Sequence, residues 1–369
     1  MTKEFKTEIQ YALQEDIMLI ATDDEIRIRK GVWNYEEACL SLTGYSEEFT
    51  RCFHDVFDSL QTGQFSVGQL DDFLLEPFER EQAETVLQQL LESDFILAVD
   101  EKLSHSRITK ILTGGLELFI DDDYQVQESK SVLFCTDTEY VMEKWKTFSE
   151  LHQIKADYLE PDLFSALKTV DLTTNIDAIG YYEDMDRLGK RFDDILAIVI
   201  SVSRLSISFM RNVNRIALEK KIPIMMSFID GPTINALSVN HDQTGCLECF
   251  ERRALARLEE HVHYARFVEE RKRDPSDKRR KNVSNIILMD LLANISFAEA
   301  FMFCTVGASR FSGRLLSIYL PSLEIQMQNI LRVPFCEACG SVARAEFGEL
   351  NASSRRLIDN ISERIFKEQ

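Results

Sequence analysis

The residue types best placed to do chemistry are four cysteines in two matching spacings, Cys246-Leu247-Glu248-Cys249 and Cys336-Glu337-Ala338-Cys339. Each pair sets two thiols on one short knuckle. Four thiolates at tetrahedral reach are the ligand set of a structural zinc. Cys249 and Cys336 lie 87 residues apart, so a shared metal would close the segment between them into one unit. Two readings compete with this one: two unrelated pairs, or a single redox Cys-x-x-Cys. A redox pair opens a helix after a strand and needs no second copy. A complete set of thiolates leaves no position for water, which favours structural over catalytic metal chemistry. Cys39, Cys52, Cys135 and Cys304 have apolar neighbours and are expected to be packed. His241, His261 and His263 are expected on a surface or a helix face, because the cysteines complete a metal site without them.

The chain of 369 residues has room for two domains, and 45% hydrophobic residues are enough to build their cores. Lys and Arg number 42 against 62 Asp and Glu, a formal charge of −20. Such a surface repels phosphate backbones, which excludes general nucleic-acid binding and suits basic partners. The first residues have no apolar signal core. The most apolar run, 195–209, is broken by Arg204 and is too short to span a bilayer. A cytoplasmic protein without a membrane partner is expected, and eight cysteines in a reducing compartment read as zinc ligands and core thiols.

The elements that position these residues follow from periodicity. Alternation predicts a hairpin over 16–30, turning at Thr22-Asp23-Asp24, and a third strand near 38–42. Phe49, Cys52, Phe53, Val56, Phe57 and Leu60 predict a helix that stops at Gly63. Ser66 reads as the cap of a short second helix, broken by Pro77. A third helix carries Ala83, Val86, Leu87, Leu90 and Leu91, and 95–97 returns as a strand. This order is that of a small winged helix-turn-helix over residues 1–100. Its third helix reads Glu79-Arg80-Glu81-Gln82-Ala83-Glu84, too acidic for DNA, so a peptide strand added along a sheet edge is the better partner. Residues 101–129, with Thr113-Gly114-Gly115 and Asp121-Asp122-Asp123, read as a linker.

Strand and helix then alternate over 130–369. Strands are expected at 131–135, 154–159, 176–182, 194–200 and 222–228, with helices between, which predicts a doubly wound α/β sheet. A nucleotide-binding sheet places a glycine-rich turn after its first strand. The turn here is Thr136-Asp137-Thr138-Glu139, without glycine and with two carboxylates, so no ATP site is expected. Beyond Cys249 come a charged helix over 250–273, a basic loop over 271–281 and an apolar helix over 283–304, placed inside or at a subunit interface. Strands are expected at 314–320 and, as an apolar strand, at 323–333; the tail 353–366 reads as an amphipathic helix with Leu357, Ile361 and Ile365.

The succession of Asp194-Ile195-Leu196-Ala197, Arg211-Asn212-Val213-Asn214, Lys221-Ile222-Pro223, Gly231 and the two cysteine knuckles resembles the ThiF/ubiquitin-activating-enzyme superfamily over roughly residues 130 to 340. Its catalytic members use a glycine-rich loop and acidic residues to adenylate a carboxylate; here the loop is missing, and Ser201 and Ser203 stand where an acidic ribose-side residue is usual. A winged helix ahead of a degenerate ThiF-like zinc domain is similar to the ThiF-like partner proteins of azole-forming cyclodehydratases, the streptolysin-type C protein and the microcin-type zinc subunit. That resemblance implies a homodimer that captures the leader of a ribosomal precursor peptide and scaffolds a complex. A YcaO-type partner would use ATP to cyclise Cys, Ser and Thr, and an FMN dehydrogenase would oxidise azolines to azoles. Carried over by position, the leader would lie between the third strand, at Leu40, Ser41 and Leu42, and the third helix, at Ala83, Val86 and Leu87. An adenylating ThiF-like enzyme and a zinc-containing winged-helix transcription regulator are the alternatives.

Overall fold

The computed structural model describes residues 9–14, 17–33, 36–93, 95–99, 108–109, 112–113, 130–173, 178–241, 243–258, 261–273 and 286–340. The basic loop beyond residue 273, the tail helix at 353–366 and nearly all of the expected linker lie outside the described residues. The chain divides into two compact units, Met1–Ser104 and His105–Gln369.

In the first unit, strands β2 (Ile17–Ala21), β3 (Glu25–Lys30) and β4 (Glu36–Ser41) form an antiparallel sheet in the order β2-β3-β4. Helix α1 spans Glu47–Thr62 and ends, as its Gly63 predicts, on a left-handed residue with φ 69°. Its Phe49, Phe53 and Phe57 fall four apart and pack into the core with Ile26 and Ile28 of β3. Helix α2 spans Pro77–Glu92. Pro77 therefore opens this helix rather than breaking the one before, because a first-turn proline gives up no intrahelical bond. The segment expected as a second α-helix is a 3-10 helix over Val67–Asp72, and Ser66 makes no side-chain cap bond. A pairing that periodicity cannot show closes the unit: β1 (Tyr11–Leu13) runs antiparallel to β5 (Ile96–Ala98).

Contacts at both ends fix α2 along this sheet. Ser46, the N-cap of α1, accepts from Phe49 N–H, and its own N–H and hydroxyl donate to the buried Glu79 carboxylate at 2.8 and 2.9 Å. At the other end, Lys30 Nζ donates to the Ser93 carbonyl at 2.7 Å and lies over the Phe95 ring. Glu79, one of the acidic residues that argue against DNA, thus serves as a capping group.

The second unit holds a seven-stranded mixed sheet in the order β12-β11-β10-β9-β8-β6-β7. The strands are β6 (Ser131–Thr136), β7 (Ala156–Tyr158), β8 (Ile195–Val202), β9 (Ile224–Asp230), β10 (Thr233–Val239), β11 (Arg314–Tyr319) and β12 (Glu324–Asn329). The pairs from β7 to β9 are parallel and those from β9 to β12 antiparallel, so the doubly wound half is extended by three antiparallel strands. Burial on both faces explains the unbroken apolar runs of β6 and β8. One face is covered by α4 (Pro161–Thr169), α5 (Ala178–Gly189), α6 (Ile207–Lys220) and α7 (Leu247–Leu255). The other is covered by α3 (Glu139–Leu151) and α9 (Ile286–Thr305), where Trp145 donates to the Ala293 carbonyl at 3.1 Å. Helix α8 (His261–Arg273) falls in the charged stretch after the first knuckle.

Two expectations are corrected. Residues 178–182 of the strand expected at 176–182 are the start of α5, since Tyr181, Met185 and Leu188 meet the core at helical spacing, and 176–177 lie outside the described residues. The strand expected to be apolar at 323–333 is β12, short, exposed and at the sheet edge. Helix α9 is long and apolar enough to cross a bilayer, but more than half of it is buried against the sheet as a core helix. For the first unit, Ser46→Ala is expected to cost about 1–3 kcal/mol, through the lost cap and the Glu79 oxygen left without its hydroxyl donor; urea unfolding checks it.

Candidate metal centre

The four knuckle cysteines come together. All are buried, and their Sγ atoms lie within 4.8 Å of one another. Cys246 is 3.8 Å from Cys249 and 3.7 Å from Cys336, and Cys249 is 3.4 Å from Cys339. A tetrahedron of sulfurs about 2.3 Å from a central zinc has edges of about 3.8 Å, so the cage has zinc's dimensions. Cys246 caps α7 and Cys249 sits in its first turn. The second knuckle is a tight turn in which Cys336 N–H donates to Val333 O and Gly340 N–H to Cys336 O. Val333 N–H donates to Cys249 Sγ at 3.3 Å, a bond that favours the thiolate. Hydrogen bonds, above all from Cys246, hold the Cys249 thiol below its ordinary range.

Backbone crowding explains the flanking glycines. A Cβ at Gly340 would come within 2.5 Å of the Cys336 carbonyl oxygen and 2.8 Å of that of Pro334. One at Gly245 would meet Cys249 Cβ and the backbone of Ile330 and Arg332, each at 3.2 Å. Arg332 then staples the two knuckle approaches together, donating to the carbonyls of His241 at 2.7 Å and Thr244 at 2.9 Å.

A buried polar network behind the cage joins it to α6. Arg215 forms a two-pronged pair with Glu248 at 2.7 and 2.9 Å and donates to the Glu337 carbonyl. Asn214 accepts from Leu247 N–H and donates to Glu248, and Arg211 pairs with Glu251, which also accepts from Tyr264. Burial pushes the Glu248 carboxyl up, against the pull of Arg215. The Arg-Asn-Val-Asn stretch stands out in the sequence, but its partners do not. The signal was available in the spacing of Arg211 and Arg215, one turn apart, and of Glu248 and Glu251 inside and just after the first knuckle.

The remaining cysteines lie outside this cage. Burial pushes Cys52 up to about 11 and Cys304 up to about 12, and raises Cys135 further, which makes them inert. Cys39, expected to be packed, is exposed on β4. His241, expected at a surface, is 3% exposed, and His263 is exposed on α8; neither joins the cage.

The positions carried over for a peptide fall into two groups. Leu42, Ala83 and Leu87 are at most 2% exposed and belong to the core of the first unit, so their side chains cannot meet a ligand. Leu40 and Val86 are half-buried and Ser41 is exposed, and β4 pairs only with β3 among the described residues. In the second unit, the crevice where strand order reverses lies between the carboxyl ends of β6 and β8. There Asp137 accepts from Ser203 N–H at 2.8 Å and from Ser203 Oγ at 2.7 Å. A carboxylate thus occupies the position where phosphate-binding sheets present free amides.

No protein-family model matches the chain, and no curated protein matches it. Among solved structures it is similar to the heterocyclase TruD, with 15% identity and a TM-score of 0.54, over 90% of this chain and 43% of that one. A heterocyclase in complex with substrate and cofactor gives 13% identity and a TM-score of 0.55, over 89% and 39%. E. coli MccB bound to MccA gives 14% identity and a TM-score of 0.45, over 90% and 100%. The chain has the α/β fold of the heterocyclases and spans about two fifths of their length.

Cys249→Ser is expected to release metal and to unfold the knuckles, since structural zinc contributes on the order of 10 kcal/mol to small zinc domains; metal content and thermal melting with chelator check it. Arg215→Met, which leaves Glu248 buried without its cation, is expected to cost about 3–5 kcal/mol. Adding Glu248→Leu should restore much of that loss, measured as a double-mutant cycle.

Proposed function

We propose that this chain is the leader-binding, scaffolding subunit of a thiazole- and oxazole-forming cyclodehydratase that modifies a ribosomal precursor peptide. A separate YcaO-type subunit uses ATP, and an FMN-dependent dehydrogenase completes the azoles. On this reading residues 1–100 are a winged-helix peptide-recognition domain, 101–129 a linker and 130–369 a degenerate ThiF-like domain holding structural zinc on Cys246, Cys249, Cys336 and Cys339. The chain acts as a homodimer.

The observation that carries the reading is the open edge of β4 in a chain with the heterocyclase fold. Leu42 N–H donates to Asp24 O on the β3 side. Antiparallel alternation then turns the backbone of Leu40 and Ala38 toward β3, and that of Ser41, Cys39 and Glu37 outward. Those outward groups are what an added strand needs, and α2, fixed at Ser46 and Lys30, stands beside them. The carboxylate of Asp137 at the switch point supports assigning ATP to another subunit.

The experiment is titration of the full chain with the leader peptide encoded beside its gene, and separately with ATP. Cys39→Pro removes one outward N–H without touching the β3 ladder, and Cys39→Ala is its control. Losing one main-chain bond of about 1 kcal/mol weakens leader binding about fivefold or more. Ala21→Pro, outward-facing on the opposite edge strand β2, should leave binding unchanged. Leader binding indifferent to Cys39→Pro, or tight ATP binding without leader binding, would turn the assignment back toward an adenylating enzyme.

A further inference from the structure

Building on that reading, we propose that the strand taken up by β4 is basic. It carries apolar side chains at alternate positions toward α2 and Lys or Arg at its other positions and its ends. Three features point to this occupant.

The first is charge. Residues Met1–Ser104 hold 23 acidic and 8 basic side chains, −15 of the whole chain's −20. The cations of the sheet are already engaged: Arg27 with Glu25 and Glu37, Arg29 with Glu37, and Lys30 with Ser93. Carboxylates remain at both ends of the open edge. Glu36, 76% exposed, begins β4, with Lys30 no nearer than 3.7 Å, while Glu47 and Glu76 are exposed beyond its far end. An acidic strand laid there meets like charge at both ends, and a basic one meets complementary charge.

The second is the flank of α2. Phe78, Gln82 and Val86 follow one another at four-residue spacing, on the side of the helix opposite Arg80, which is paired with Asp71. Phe78 is 63% exposed and Val86 half-buried, so this flank offers apolar surface without charge. A strand presents every second side chain to one side, so apolar residues at alternate positions can meet this flank while charged ones stay in water. The third is the outward backbone of Glu37, Cys39 and Ser41, which fixes the occupant as an extended peptide rather than a helix or a small cation.

The test uses the intact chain and two synthetic peptides with the same alternating Val, Ile and Phe residues. One has Lys at every other position and the other Glu. Fluorescence anisotropy at about 50 mM and about 300 mM salt spans the range over which exposed charges become screened. The Lys peptide is expected to bind about tenfold or more tightly than the Glu peptide at low salt, with the ratio shrinking at high salt. Reversing two exposed charges, Glu36→Lys with Glu76→Lys, should narrow the ratio, and Cys39→Pro should weaken the Lys peptide. Equal binding of both peptides, or a ratio indifferent to salt and to charge reversal, overturns the proposal. If Cys39→Pro still weakens both, strand addition itself stands and only the charge rule fails. Lys-peptide binding that ignores Cys39→Pro is diffuse attraction to an acidic surface and also overturns it. If neither peptide binds, the proposal fails, and the Cys39 dependence of leader binding decides the earlier reading independently.

Discussion

Four sulfurs held within 4.8 Å of one another cannot all be thiolates without a cation among them. That mutual repulsion is the constraint on which the second unit turns. With a metal, the cage joins the N-terminus of α7 to a turn that follows β12, and so fastens two ends of the sheet's antiparallel half. Without one, like charges oppose that closure. The surrounding structure is arranged to receive the strain: glycines where a side chain would collide, an arginine across the two approaches, and a buried ionic network holding α7 against α6.

The first unit obeys a different constraint. Its acidic side chains do not form a single field of one purpose. Glu79 is buried and caps a helix, Glu25 and Glu37 neutralise the sheet's arginines, and Glu36, Glu47 and Glu76 face solvent near the two ends of β4. The unit is thus internally compensated at its centre and negative at its margins. Such a distribution repels phosphate and favours cationic over anionic groups at those margins.

Local spacing carried much of this architecture. Two knuckles in one chain, a phenylalanine stripe every four residues and apolar runs without alternation are each dictated by one element's own geometry, so they can be read in sequence. Features that depend on contact between distant segments were not legible. Strand β1 finds β5 across most of the first unit, and Leu42, Ala83 and Leu87 become core because α2 is drawn onto the sheet at Ser46 and Lys30. The start of α5 reads as a strand because Ala178-Ile179-Gly180-Tyr181-Tyr182 is a short apolar and aromatic run, and only packing of Met185 and Leu188 selects the helix. Buried ion pairs were also hidden, since an arginine or glutamate in a helix looks like surface until its partner is known.

The separation of the two knuckles also sets an order of events during synthesis. Cys246 and Cys336 are 90 positions apart, so at about 5–20 residues per second a nascent chain carries only half of its ligands for about 5–20 seconds. Strands β6 to β10 precede the first pair, whereas β11 and β12 lie between the pairs. The parallel half of the sheet can therefore assemble while the first two thiols wait. Capture of the ion becomes a late step that locks in the final strands, and throughout that interval the exposed dithiol is the point at which oxidants or the wrong ion could divert the chain.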